Sequence, residues 1–147
     1  MTRPIPSLSP HLAQLSPDPH TRPFWDAARQ HRLVCQRCTR CGMDRHPPLP
    51  ICPWCQSPDF TWRSFGEEGT IFTYTIAHHP FADYMRAVVP YALAVVEFDD
   101  APGVRMVLLV VDSDLEDVQI GRSVQIAWDD IDAATTVPRA SIIPRKG

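Results

Sequence analysis

Long apolar runs are missing from this chain: nowhere do 18 hydrophobic residues follow one another, and the opening MTRPIPSLSPHLAQ has no continuous apolar segment. The first absence excludes a spanning helix and the second argues against a secretory signal, so the expected location is the cytoplasm. Glycine is scarce, at 6 residues against 16 prolines, which points to extended segments and short strands instead of long helices. Internal repeats are absent. So are the nucleophile elbow, the HExxH motif, and the glycine-rich loops that cradle phosphates or dinucleotides. A recognisable catalytic constellation is therefore excluded. A lone Ser or Cys nucleophile is not, since its base can come from anywhere in a fold.

At 147 residues the chain can bury one modest core with a small appendage. Its net charge of -3 hides an asymmetry. Between Arg22 and His46 six arginines face Asp26 and Asp44, a balance of +4; between Phe65 and Val137 thirteen acids face Arg86, Arg105 and Arg122, a balance of -10.

Residues 1–20 carry five prolines and no periodicity, so this arm is expected to be extended or disordered unless a partner orders it. Pro23 suits the first turn of a short helix that would place Phe24, Trp25 and Ala28 on one side. A helix and cysteine-rich module then occupies 21–64 and a β region 65–147. HRLVCQ reads as a strand entering a cysteine turn, and DRHPPLP as a hairpin tip. Strands are expected over Gly69 to His78, Tyr91 to Phe98, Val104 to Val111, Ser123 to Trp128 and Thr135 to Ile143, which suggests a small antiparallel barrel. In the first of these, Thr70, Phe72, Tyr74 and Ile76 alternate with Ile71, Thr73 and Thr75, as in a strand with one buried face. Val107 to Val111 reads as covered on both sides or wrapped inside a barrel.

The five cysteines cluster, and in a reducing compartment metal ligation explains them better than disulfides. Cys38, Cys41, Cys52 and Cys55 form two CxxC pairs whose turns can present four thiolates to one tetrahedral ion. Cys35 offers a second register. The pair Cys38 and Cys41 is preferred because Gly42 follows it and can take positive φ, a freedom Gln56 lacks in the second turn. Cys35 is then a small half-buried residue. Four cysteine ligands leave no open coordination position, so the ion, Zn2+ with iron as rival, is expected to be structural.

Three other groups are noteworthy. His78, His79, Asp83 and Tyr84 form the chemically versatile loop, a possible border of a partner's acyl-CoA channel; the plainer reading has Phe81 and Tyr84 packing the barrel mouth. Arg29, Arg32, Arg37, Arg40 and Arg45 suit CoA phosphates or an acidic partner, or are simply solvated. Trp54 and Trp62 are expected to seal the ribbon against the barrel.

The succession FWDAARQHRL, QRCTRCGMDRHPPLPICPWCQSPDFTW, GTIFTYTIAHHP, VPYALAVVEFDD, GVRMVLLVV, IGRSVQIAW and VPRASI resembles the acyl-CoA-associated OB-fold proteins with an N-terminal rubredoxin-like zinc ribbon, domain-of-unknown-function family thirty-five. The resemblance covers roughly Pro23 to Ile143. It implies a mainly β protein with a helical N-terminal hairpin, a zinc ribbon and a five-stranded OB barrel. It also implies a non-catalytic subunit of a thiolase-superfamily enzyme, such as a lipid-transfer-type aldolase or thiolase, that scaffolds the complex and binds a CoA thioester jointly with its partner. Two copies of each subunit and steroid side-chain retro-aldol cleavage follow only from the family. Cys35 and Gln56 depart from the family pattern without removing a ligand.

Other readings compete with this one. Zinc ribbons and OB-folds also bind single-stranded nucleic acid, but the acidic barrel opposes a polyanion, so neither nucleic acid nor membrane is an expected partner. A MaoC-type enoyl-CoA hydratase is an alternative partner, and a rubredoxin-like electron carrier would be red. The spacing predicts about one equivalent of metal, zinc rather than iron, in gently purified protein, and metal analysis finding less than about half an equivalent overturns the ribbon.

Overall fold

A computed structural model describes residues 15–145, so most of the proline-rich arm expected over 1–20 lies outside the described residues. The chain enters through an Asx turn in which Asp18 Oδ1 accepts the amides of His20 and Thr21, each at 2.8 Å. Helix α1 (Arg22–Ala28) follows, with proline in its first turn, where no amide is needed. It buries Phe24, Ala27 and Ala28. It is the one α-helix among the described residues, which contain no second helix of the hairpin that the family resemblance implies.

The helix stops in a Schellman turn. The amides of His31 and Arg32 donate to the carbonyls of Ala28 and Ala27 at 2.8 and 3.0 Å, and His31 takes φ +53 where glycine is usual. Strand β1 (Leu33–Cys38) then forms the centre of a small sheet between β2 (Asp44–Arg45) and β3 (Phe60–Phe65), all antiparallel. The far end of this sheet enters the main core, since Leu33 pairs with Phe65 and both are buried. Burial of each is worth roughly 1.5–3 kcal/mol. Cys35 sits there too, 1% exposed instead of half-exposed.

Strands β4 (Glu68–Ala77), β5 (Tyr91–Phe98), β6 (Ala101–Val111), β7 (Ser123–Asp132) and β8 (Thr135–Ile142) close into a barrel in the order β4-β5-β6-β8-β7. Every seam is antiparallel except β6 with β8, where Val110 and Val111 pair in parallel with Ala140 and Ser141. The expected all-antiparallel barrel is corrected at that seam. Phe65 meets Phe98 edge to face at 5.0 Å, which joins the ribbon sheet to the barrel interior.

The alternation expected in β4 holds only over its first half. Ile71 is buried between half-buried Thr70 and exposed Phe72, but beyond the β-bulge between Ile71 and Thr73 the residues Thr73, Tyr74 and Thr75 are all exposed. The Arg105 guanidinium lies 3.8 Å from the Phe72 ring centroid and covers it. In β6 the pattern alternates from Val104 to Leu108, leaving Val107 at 69% exposure, so of the two readings of this apolar run it is the barrel strand, with one face inward, that holds.

Buried polar groups tie the ribbon together. Asp44 is 3% exposed and accepts from Arg63 at 2.6 Å and from Arg37 at 2.9 Å. Burial alone would raise its pKa, but the hydrogen bonds from Arg63 and Arg37 outweigh burial and hold it below the ordinary carboxylate value. Arg45 is buried without a carboxylate. Its Nε donates to Gln36 Oε1 at 2.8 Å, its Nη2 donates to the Leu49 carbonyl at 3.0 Å, and its guanidinium lies over Phe60. Next to it, burial depresses the His46 pKa to about 4, so the ring packs against Phe24 uncharged. A histidine whose folded pKa lies below its unfolded value near 6.5 contributes full stability above that value and loses it as pH falls toward 4. Thermal melts should therefore decline across that window, and His46→Phe should flatten the decline relative to the wild type.

Candidate functional site

The two CxxC turns are built alike. The amides of Cys38 and Cys52 donate to the carbonyls of Met43 and Ser57, and the amides of Gly42 and Gln56 donate back to the carbonyls of Cys38 and Cys52, all at 2.9 Å. Each turn needs one left-handed residue after its second cysteine. Gly42 supplies it at φ +75, and Gln56 supplies it at φ +61, contrary to the expectation that Gln56 would not.

These paired turns bring the sulfurs of Cys38, Cys41, Cys52 and Cys55 within 4.8 Å of one another. Cys38 Sγ lies 3.5 Å from Cys55 Sγ, and Cys41 Sγ lies 3.7 Å from Cys52 Sγ. A tetrahedron with zinc–sulfur bonds near 2.3 Å has sulfurs about 3.8 Å apart, so the donor set fits the ion the family implies. Amides aimed at the sulfurs favour thiolates. The Cys41 amide, with that of Arg40, lowers Cys38 to about 6, and the amides of Cys55 and Trp54 lower Cys52 against the opposing effect of burial. At Cys41 the Met43 amide also pulls downward, but burial and the neighbouring thiols outweigh it and push it up to about 11. Cys35 stays outside this group: burial, then the nearby Asp44 carboxylate, push its thiol up to about 11.

The loop singled out from sequence lies between β4 and β5. His78, His79, Asp83 and Tyr84 are all exposed, and Asp83 pairs with Arg86 at 3.1 Å. Phe81 and Tyr84 meet edge to face at 6.1 Å and are 66% and 45% exposed, so they do not pack the barrel mouth. Among the described residues the two histidines belong to no metal-binding cluster.

Of the candidate arginines, Arg37 and Arg45 are committed within the ribbon, Arg29 pairs with Asp26 and Arg32 donates to Gln30. Arg40 remains exposed on the first knuckle. Trp62 packs partly buried against the core as expected, whereas Trp54 is 54% exposed and seals nothing. Sequence reading missed Leu49 and Ile51, which like Trp54 are exposed. The signal was available in PPLPICPW, where prolines and metal-held cysteines leave no room for the apolar residues to fold inward.

An open cleft of about 850 Å3 separates α1 from the β7–β8 hairpin and is lined by Asp26, Arg29, His31, Asp130, Asp132 and Thr136. Across it His31 stacks on Trp128 at 5.4 Å, and its Nε2 lies 2.9 Å from Asp130 Oδ1.

Residues 25–61 match the family model described as ChsH2, rubredoxin-like zinc ribbon domain, and residues 62–129 match ChsH2, C-terminal OB-fold domain. The chain is 38% identical over 116 residues to a probable enoyl-CoA hydratase alpha subunit of Thermomonospora curvata, covering 78% of this chain and 35% of that protein. It is 32% identical over 124 residues to the 3-oxo-4,17-pregnadiene-20-carboxyl-CoA hydratase alpha subunit of Mycobacterium tuberculosis, covering 79% and 38%. The chain thus spans little more than a third of either relative. Among solved structures it resembles a chain of the Ltp2-ChsH2(DUF35) aldolase, with 32% identity, a TM-score of 0.76, and coverage of 88% of this chain and 98% of that one.

Replacing Cys52 with Ser should abolish metal content and unfold the ribbon. Cys35→Ala should keep the metal and cost about 1 kcal/mol from the core. Metal analysis and thermal melts read both, and equal metal loss would reverse the ligand assignment.

Proposed function

This chain belongs to the ChsH2 (DUF35) family of zinc-ribbon and OB-fold proteins, and from that premise we propose that it is a non-catalytic subunit of an acyl-CoA aldolase or thiolase. The observation that carries the reading is its likeness to nearly the whole of the matched chain in the Ltp2-ChsH2(DUF35) aldolase. Cys38, Cys41, Cys52 and Cys55 hold one structural Zn2+. Held by these four sulfurs, an ion would tie the two knuckles together and would have no position left for substrate. The chemistry belongs to a thiolase-superfamily partner, with two copies of each chain in the complex. For a β-hydroxyacyl-CoA this is retro-aldol cleavage: a base of the partner takes the hydroxyl proton, the Cα–Cβ bond breaks to release a carbonyl compound, and the enolate left on Cα takes up a proton to give the shortened acyl-CoA. A steroid side chain is the acyl group this reading favours, supported by the pregnadiene-carboxyl-CoA relative.

The loop carrying His78, His79, Asp83 and Tyr84 borders the CoA-ester channel. Its exposed aromatic pair is a surface that a monomer gains nothing by displaying to water. A second reading pairs the chain with a MaoC-type hydratase, favoured by the names of the two hydratase alpha subunits.

Affinity purification of the tagged chain from its native extract at moderate salt tests both. Near-equal recovery of a thiolase-superfamily protein, with aldol cleavage in the purified pair, is the expected result. Recovery of a hydratase instead would favour the second reading, and recovery of no acyl-CoA enzyme would overturn both.

A further inference from the structure

The second half of β4 is a strand with one side empty. Thr73 to Ala77 pair in unbroken register with Val95 to Tyr91 of β5. On the other side β4 pairs with β7 only from Glu68 to Thr70, and at Ile71 the edge is taken by the following turn: the Ile71 amide donates to the Arg122 carbonyl and the Gly121 amide donates to the Ile71 carbonyl, both at 2.9 Å. Past that point no backbone group among the described residues meets the edge of 72–77. Alternate amides and carbonyls of this stretch therefore face solvent, and Thr73, Tyr74 and Thr75 are exposed in succession, so neither face of the strand is covered there. Natural edges of this kind are blunted by charge, proline or a bulge. The run FTYTIA has neither charge nor proline, and its bulge lies at the start, which leaves the rest straight and regular.

An open edge specifies the form of its occupant, which is an extended backbone that completes the ladder. We propose that the occupant is a second copy of this chain, with residues 72–77 of the two copies antiparallel about a two-fold axis, so that β4 and β5 of both form one continuous sheet. The run is self-complementary for this purpose. It sets only hydroxyl and apolar side chains against their own kind, and opposes no like charges although the barrel as a whole is acidic. The turn at Gly121 and Arg122 limits the register, since it holds the edge at Ile71 and stops an incoming strand from sliding past it. The arm at 1–14 is a poor occupant, because Pro4, Pro6 and Pro10 lack the amides a ladder needs. The pairing requires no other protein, so it stands or falls apart from the function proposed above.

The test is sedimentation of the metal-loaded full chain at concentrations up to about 1 mM, the range in which a small interface assembles, with amide hydrogen exchange measured at both ends of that range. The wild type should pass from monomer to dimer, and exchange should slow at 72–77 as it does. Tyr74→Lys and Thr75→Lys put a charge on opposite faces of the edge and should raise the dissociation constant about tenfold or more, with unchanged metal content and circular dichroism. Val107→Lys, a change at a 69% exposed side chain of β6 away from the edge, should leave the constant as it is. A monomer throughout, a dimer whose slowed amides lie elsewhere, or a dimer weakened by Val107→Lys and indifferent to the edge lysines overturns the proposal. Should an edge lysine disturb the fold, hydrogen exchange of the wild type decides. Slowed exchange at 72–77 that appears only on adding the co-purified acyl-CoA enzyme would assign the edge to a strand of that partner and likewise overturn the proposal.

Discussion

The rest of the ribbon depends on the approach of four sulfurs to within 4.8 Å. β2 comprises only Asp44 and Arg45, and besides the cluster the two knuckles are joined by a few polar contacts, the Arg45 guanidinium donating to the Leu49 carbonyl and the Thr39 amide to that of Asp59. Mutual repulsion of thiolates would separate them without a cation, while the amides around Cys38 and Cys52 favour the charged form. The knuckles are thus built to meet an ion, and the ion is part of their folding energy. Everything displayed by the ribbon, including its exposed apolar residues, inherits its position from that centre.

A second set of interactions fixes the ribbon on the barrel. Phe65 enters the core against Phe98, Arg63 reaches the Asp100 carbonyl in the β5–β6 turn, and His31 stacks on Trp128. Apolar burial and charged hydrogen bonds therefore act at different points along β3, and the helix turn adds a third. The polar members are economical in Asp44, one carboxylate that accepts from guanidinia on both β1 and β3.

Much of this was legible in the residues. The cysteine spacing gave the metal centre, Pro23 marked the helix start, and Tyr91–Phe98 alternates cleanly enough that its bounds as a strand were read without error. What escaped reading shares one physical origin, the override of local pattern by tertiary context. The bulge at Phe72 is set by the neighbouring strand, not by any residue that demands it. Gln56 and His31 adopt left-handed backbone because the turns around them supply enough hydrogen bonds to meet the cost. Arg45 reads as a surface cation until Gln36, Leu49 and Phe60 are seen to enclose it. Trp54 reads as a core residue until the knuckle is seen to turn it out.

The parallel seam of the barrel has a mechanical consequence. The β7–β8 hairpin pairs with β6 through Val110 and Val111 and with β4 from Glu68 to Thr70, and Glu67 accepts from the Ile126 amide and the Trp128 indole. Its outer end, at Trp128 and Asp130, is also gripped by His31 in the turn that ends α1. A force applied to the helix would be transmitted to the hairpin before it reached the β4–β5 loop. The hairpin is thus the part of the barrel most directly tied to the helix.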